Sequence, residues 1–156
     1  MKTLPIAIFL LLFANVLFAQ APIQFKNPSF EDLPQASTIP AGWMPCGMTG
    51  ETPPDIQPGN FGCILAPADG KTYLGMVTRD NYTWESVSQE LPVPLDSGVC
   101  YTFTVQLATS QEYNSMSRLT GDPANYNRPV VFQLWGGYGY CDERVLLAES
   151  LVISHS

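Results

Sequence analysis

The chain has 156 residues, enough for one domain with a real core and too few for two ordinary ones. Hydrophobic residues make up 46% and charged residues 13%, a balance that would suit a membrane protein if it were spread along the chain rather than concentrated at one end. Seven basic residues stand against 14 acidic ones, which argues against nucleic acid or an anionic membrane as partner and favours neutral ligands or cations.

Residues 1–19 carry one lysine, Lys2, then an apolar run broken only by Asn15, and end on the small residue Ala19. That is the pattern of a secretory signal peptide, a helical leader removed near Ala19. The run is shorter than the roughly 20 residues a membrane span needs, so no membrane span is expected after cleavage. No cysteine follows the cut to accept a lipid. The mature domain, residues 20–156, then holds six basic against 14 acidic residues, a net charge of −8. It is expected to be secreted or extracytoplasmic, in the periplasm or at the cell surface.

Within that domain the spacing predicts an all-β, antiparallel sandwich. A short strand near Phe25 is stopped by Pro28. From Leu33 to Asp69 proline and glycine dominate, so an irregular excursion is expected, with one short strand near Trp43. Pro67–Gly70 turns the chain into a strand over Thr72–Arg79, and Glu85–Leu91 forms the next. Val99–Leu107 is the strongest signal: Val99, Tyr101, Phe103, Val105 and Leu107 alternate with Cys100, Thr102, Thr104 and Gln106, the period of a strand with one face on a core. Thr109–Pro129 is polar and reads as a long loop of the kind that carries function. Val130–Trp135 is a strand, Gly136–Cys141 a glycine-rich turn, and Val145–Ile153 a last apolar segment.

All four cysteines, Cys46, Cys63, Cys100 and Cys141, lie in the exported part, where disulfides form. They fit no zinc pattern, since no C-x-x-C occurs and the only histidine is His155. If the Val99–Leu107 and Val130–Trp135 strands run antiparallel, Cys100 and Cys141 fall at one edge of the sheet. This predicts a Cys100–Cys141 disulfide and, by elimination, Cys46–Cys63.

Five short motifs carry a resemblance: Asn27-Pro-Ser-Phe-Glu31, Pro40-Ala-Gly-Trp43, Asp69-Gly-Lys-Thr-Tyr-Leu74, Val87-Ser-Gln89 and Gly98-Val-Cys-Tyr-Thr-Phe103. In that order they resemble the galactose-binding-like jelly roll of bacterial carbohydrate-binding modules, over nearly the whole mature chain. The likeness extends to N-terminal modules of secreted or OmpA-linked surface proteins, where Tyr-Cys-Asp142 and Leu-Leu-Ala-Glu149 also recur. The resemblance implies a binding module for carbohydrate or another cell-envelope component rather than one fixed ligand. It implies a structural calcium held by Glu31, with the acidic ligand expected from a final strand missing; the alternative is that Glu31 caps the corner by accepting backbone N–H groups. It also implies strands beyond Ile153, so the chain is expected to stop before its jelly roll closes, with six or seven of about eight strands present. A short natural protein closed by its own last segment is the alternative.

Saccharide recognition needs aromatic faces beside planar polar groups. Arg79-Asp80-Asn-Tyr82-Thr-Trp84-Glu85 offers both in one stretch, with Trp135 as a second platform and Tyr138 and Tyr140 as a third. The competing reading is structural: Tyr82 and Trp84 pack under a hairpin while Arg79 pairs with Asp80. Tyr113, Arg118, Tyr126 and Arg128 either rim the same site or hold their loop together, and Trp43 is read as a core plug. No catalytic residues are expected. Carboxylate pairs such as Glu85 with Glu90 are arbitrary among 14 acids, and no G-x-S-x-G occurs. An adhesion or spacer module with a protein partner is the other function carried forward.

Overall fold

The computed structural model describes residues 22–154, and every regular element in it is a β-strand. The expected signal peptide, residues 1–19, and His155 lie outside the described residues. Among those described, no helix is long and apolar enough to cross a membrane.

Eight short strands form four antiparallel two-stranded ladders. β1 (Met44–Pro45) pairs with β4 (Val87–Ser88), and β2 (Asp55–Gln57) with β3 (Tyr73–Gly75). β5 (Asn114–Met116) pairs with β6 (Pro123–Asn125), and β7 (Gln133–Gly136) with β8 (Val145–Glu149) through a register shift at Leu134/Trp135. Three single bridges add to these ladders: Gln35 to Ile56 on the second edge of β2, Thr78 to Trp84 in the connection from β3 to β4, and Val130 to Ile153.

Two aromatic clusters hold the ladders together. Cys63, Val77 and Tyr113 are buried, with Phe61 and Tyr126 packed against them, and the rings of Phe61 and Tyr113 stack at 4.9 Å. The other cluster gathers Phe25, Phe30 and Phe103, with Trp43 between Phe25 at 5.6 Å and Phe30 at 4.8 Å. Trp43 is half-buried between these rings, its indole N–H donating to the carbonyl of Asn27 at 3.0 Å. The inside is unusually polar, because Asp55, Gln57, Thr72 and Glu85 are all buried. Such groups are tolerated only when hydrogen-bonded. Asp55 meets that condition, taking the Tyr113 hydroxyl at 2.7 Å and the Ser37 N–H at 2.7 Å.

Three of the resembling motifs meet at one corner. The N–H groups of Lys71 and Thr72 donate to Glu31 Oε1 at 2.7 and 3.0 Å, and Thr72 Oγ1 donates to the Phe30 carbonyl at 3.0 Å. A Cβ on Gly70, whose φ is +71°, would run into the Glu31 carboxylate. Gln89 closes the corner from the third motif, bonding both the N–H and the carbonyl of Lys26.

Three sequence expectations need correction. The stretch near Phe25 forms no strand, because the Gln89 side chain takes the Lys26 backbone groups that a neighbouring strand would have taken. Val99–Leu107 belongs to no ladder either. Its alternation does lay Phe103, Val105 and Leu107 along a groove of about 150 Å³ shared with Phe132, Leu134 and Ala148, but period-2 apolar spacing specifies a face and not a hydrogen-bonded neighbour. Third, Cys46 is bonded to Cys141, with Cα atoms 5.3 Å apart, leaving Cys63 and Cys100 as free thiols. The pairing of Cys100 with Cys141 presupposed a ladder between 99–107 and β7. Instead β1, pairing with β4, brings Cys46 beside the turn that follows β7.

Candidate binding surface

The segment 77–85 is a hairpin. Arg79 N–H donates to the Thr83 carbonyl at 2.8 Å, and Glu85 N–H to the Val77 carbonyl at 3.1 Å. Tyr82 sits at its turn with φ +61°, a conformation that costs a bulky residue energy and is held by its surroundings. What holds it is an ion network on the inner side. The buried Arg79 guanidinium bonds Glu85 and lies 3.5 Å from Glu51 Oε2, which Arg118 Nε approaches at 3.1 Å. Glu51 Oε1 accepts from Asn81 Nδ2 at 2.8 Å and Thr83 Oγ1 at 3.1 Å. The Asn81 hydrogen bond is the main reason the Glu51 carboxyl is held below the usual carboxylate range. Burial does the opposite to Glu85, pushing its carboxyl up to about 7 against the pull of Arg79 and the Val77 N–H.

Arg79 is thus engaged inside the protein, while Asp80, at the surface, is engaged by the neighbouring hairpin. Asp80 accepts from the Arg118 N–H at 3.0 Å, the Tyr126 hydroxyl at 3.1 Å and the Ser117 hydroxyl, pinning the β5–β6 hairpin to the 78–84 turn. Ser117 is also the largest cause of the lowered Asp80 carboxyl. Tyr113 and Tyr126, whose rings lie 6.4 Å apart, and Arg118 hold their segment together. The outer side of the hairpin carries the aromatics: Tyr82 is 88% exposed and Trp84 46%.

A second aromatic display follows β7. Tyr138 is 90% exposed, yet its N–H donates to Asp142 Oδ2 at 2.9 Å, and the Arg144 guanidinium covers its ring at 4.9 Å. Arg144 is itself steered by Asp142, Nε to Oδ2 being 3.4 Å. The turn is tight enough that a Cβ on Gly137 would overlap the Asp142 backbone. Cys141 fastens it to Cys46, and the half-exposed Tyr140 directs its hydroxyl to Glu90 at 3.4 Å. An open depression of about 220 Å³ is lined by Pro45, Gly47, Glu51 and Pro53. Trp135 stands on β7, in a different ladder from the 78–84 hairpin, its indole N–H given to Gln133 Oε1 at 3.2 Å.

Glu31 accepts backbone N–H groups at the corner, the arrangement expected as the alternative to a calcium ligand. The Thr72 and Lys71 N–H groups lower its carboxyl below the usual range. Among the described residues no group of three or more His, Cys, Asp or Glu side chains is placed to hold a metal ion. Sequence reading missed Glu51 and the β5–β6 hairpin. The only local signal for the hairpin was Gly121-Asp-Pro123, with Gly121 at φ +77°; Glu51 had none, because its partners are 28 to 67 residues away in the chain.

Set against protein-family models, curated proteins and solved structures, the chain matches none of them.

Proposed function

We propose that this protein is a non-catalytic, extracytoplasmic binding module of the galactose-binding-like jelly-roll type, whose ligand is carbohydrate at the cell surface. The observation that carries the reading is the 78–84 hairpin. Its inner side is fixed by Glu51, Arg79 and Glu85, while Tyr82 and Trp84 stand outward. A rigid, exposed aromatic pair offers stacking area at small entropic cost on binding. The meeting of the Glu31, Thr72 and Gln89 motifs at one corner supports the fold assignment, and the Cys46–Cys141 disulfide is compatible with an oxidising compartment. The one carboxyl raised to about 7, Glu85, is buried against Arg79 and serves packing rather than chemistry on a substrate.

A glycan array probed with the protein tests the reading. Saccharide hits that weaken by about 1 to 3 kcal/mol in Trp84→Ala, with the fold intact, are the expected result. An array without hits supports the second reading, an adhesion or spacer module with a protein partner. That alternative is favoured by the apolar surface of β8 and its neighbours, where Leu147, Leu151 and Val152 are exposed.

A further inference from the structure

We propose that the disulfide-anchored loop 136–144 is the far end of one extended binding path that begins at Trp84, so that the ligand is a glycan chain and not a single sugar. The proposal rests on the carbohydrate reading above and adds to it the length of the ligand and a second contact.

The path follows from the chain around β4. Trp84, Ser86, Ser88 and Glu90 occupy alternate positions, and side chains two apart on an extended chain share a side. Ser88 Oγ lies 3.7 Å from Cys141 Sγ, and Glu90 takes the Tyr140 hydroxyl. Gln89, of the opposite parity, turns to Lys26 and Gly42. Trp84 therefore shares its side of the strand with the disulfide and Tyr140. Trp84 and Glu90 are six residues apart, at most about 20 Å of extended chain, farther than one pyranose ring reaches. Pro45, whose carbonyl lies 3.6 Å from Cys141 Sγ, lines an open depression of about 220 Å³ beside the disulfide.

The loop is built to present its rings. An exposed tyrosine loses rotamer freedom when it stacks on a ligand, and a ring already held in place loses less. Tyr138 is held on one side by Arg144, which Asp142 orients, and its backbone is tied to the same carboxylate. The covalent tie at Cys141 fixes the loop against β1. Because Asp142 offsets the Arg144 charge, the display suits an uncharged sugar.

Calorimetry with β-1,4-linked glucose and β-1,4-linked N-acetylglucosamine oligomers, each from monomer to hexamer, tests the path. In the wild-type protein affinity should rise with length by about tenfold or more before levelling off. Tyr138→Ala and Tyr140→Ala should erase that rise, so that the hexamer binds no better than the dimer. Both rings stand at the surface, and unchanged melting temperatures would show that the fold survives. Tyr140→Phe, which keeps the ring and loses only the Glu90 contact, should retain the rise. Length-independent binding, or a rise that persists in Tyr138→Ala and Tyr140→Ala, overturns the extended path and leaves the carbohydrate reading standing. Binding by neither series at any length overturns the path for these glycans, and a blank glycan array overturns the carbohydrate reading with it.

Discussion

Glu85 shows how one buried side chain is caught between opposing forces. Its partner Arg79 and the Val77 N–H favour the charged form, yet removal from water dominates and raises its carboxyl from the ordinary 4.5 to about 7. A carboxyl whose folded-state pKa lies above its unfolded one binds its proton more readily when folded. Its contribution to stability is therefore full below about 4.5 and fades as pH rises through about 7. The difference between those values corresponds to about 3 kcal/mol. Chemical denaturation between pH 4.5 and 8 should thus show stability falling as pH rises, and Glu85→Gln, which mimics the neutral form, should flatten that slope. A slope unchanged in Glu85→Gln would show that other groups set it. Arg79→Met tests the other side of the pair. It leaves Glu85 without its cation, while Glu51 keeps Arg118, and should cost about 3 to 5 kcal/mol, measured at pH 8, where Glu85 is charged.

At the scale of elements, the covalent tie matters most. The Cys46–Cys141 bond closes a loop with a sequence separation of 95, for which the chain-entropy model gives about 4.7 kcal/mol. Cys46→Ser should lower stability by an amount of that order in urea unfolding. Non-reducing peptide mapping should recover Cys46 linked to Cys141, and a peptide joining Cys100 to Cys141 would refute the assignment. The β5–β6 hairpin depends on one carboxylate in the same way. Asp80 binds a hydroxyl and a backbone N–H at the turn and the Tyr126 hydroxyl beside it. Asp80→Ala should raise amide exchange across 114–125 while leaving β7–β8 protected, because those strands share no bond with it. The corner at Glu31 is local too: Glu31→Gln should loosen 70–72, and calcium titration should leave the melting temperature unchanged.

The whole molecule is divided between a polar interior and an apolar exterior. The side built on β2 and β3 buries Asp55, Gln57 and Glu85, while every residue of β8 is exposed and Leu151 is 91% exposed. In the two-stranded β7–β8 ladder the outer edge of β8 is unpaired by any other named strand, and an open edge beside exposed leucines invites pairing with another chain. Sedimentation velocity should therefore detect association that grows with protein concentration, and Leu147→Lys combined with Leu151→Lys should suppress it. A wild-type protein that stayed monomeric throughout would refute this.

The sequence by itself determined what is local: the β character of the chain, the corner at Pro28, the strand propensity within Thr72–Arg79 and Val130–Trp135, where β3 and most of β7 form, and the stretch 79–85 as the place where aromatics gather. These rest on alternation and turn chemistry, which act over a few residues. Only the tertiary structure decided that Arg79 faces inward, that Asp80 holds the β5–β6 hairpin at the surface, that Val99–Leu107 packs without joining a ladder, and that Cys46 reaches Cys141. Each of those outcomes depends on a partner far away in the chain. Glu51 meets Arg79 across 28 residues, Asp80 meets Ser117 across 37, and Cys46 meets Cys141 across 95. The local pattern that makes a residue polar or apolar is the same whichever distant segment arrives to pair with it.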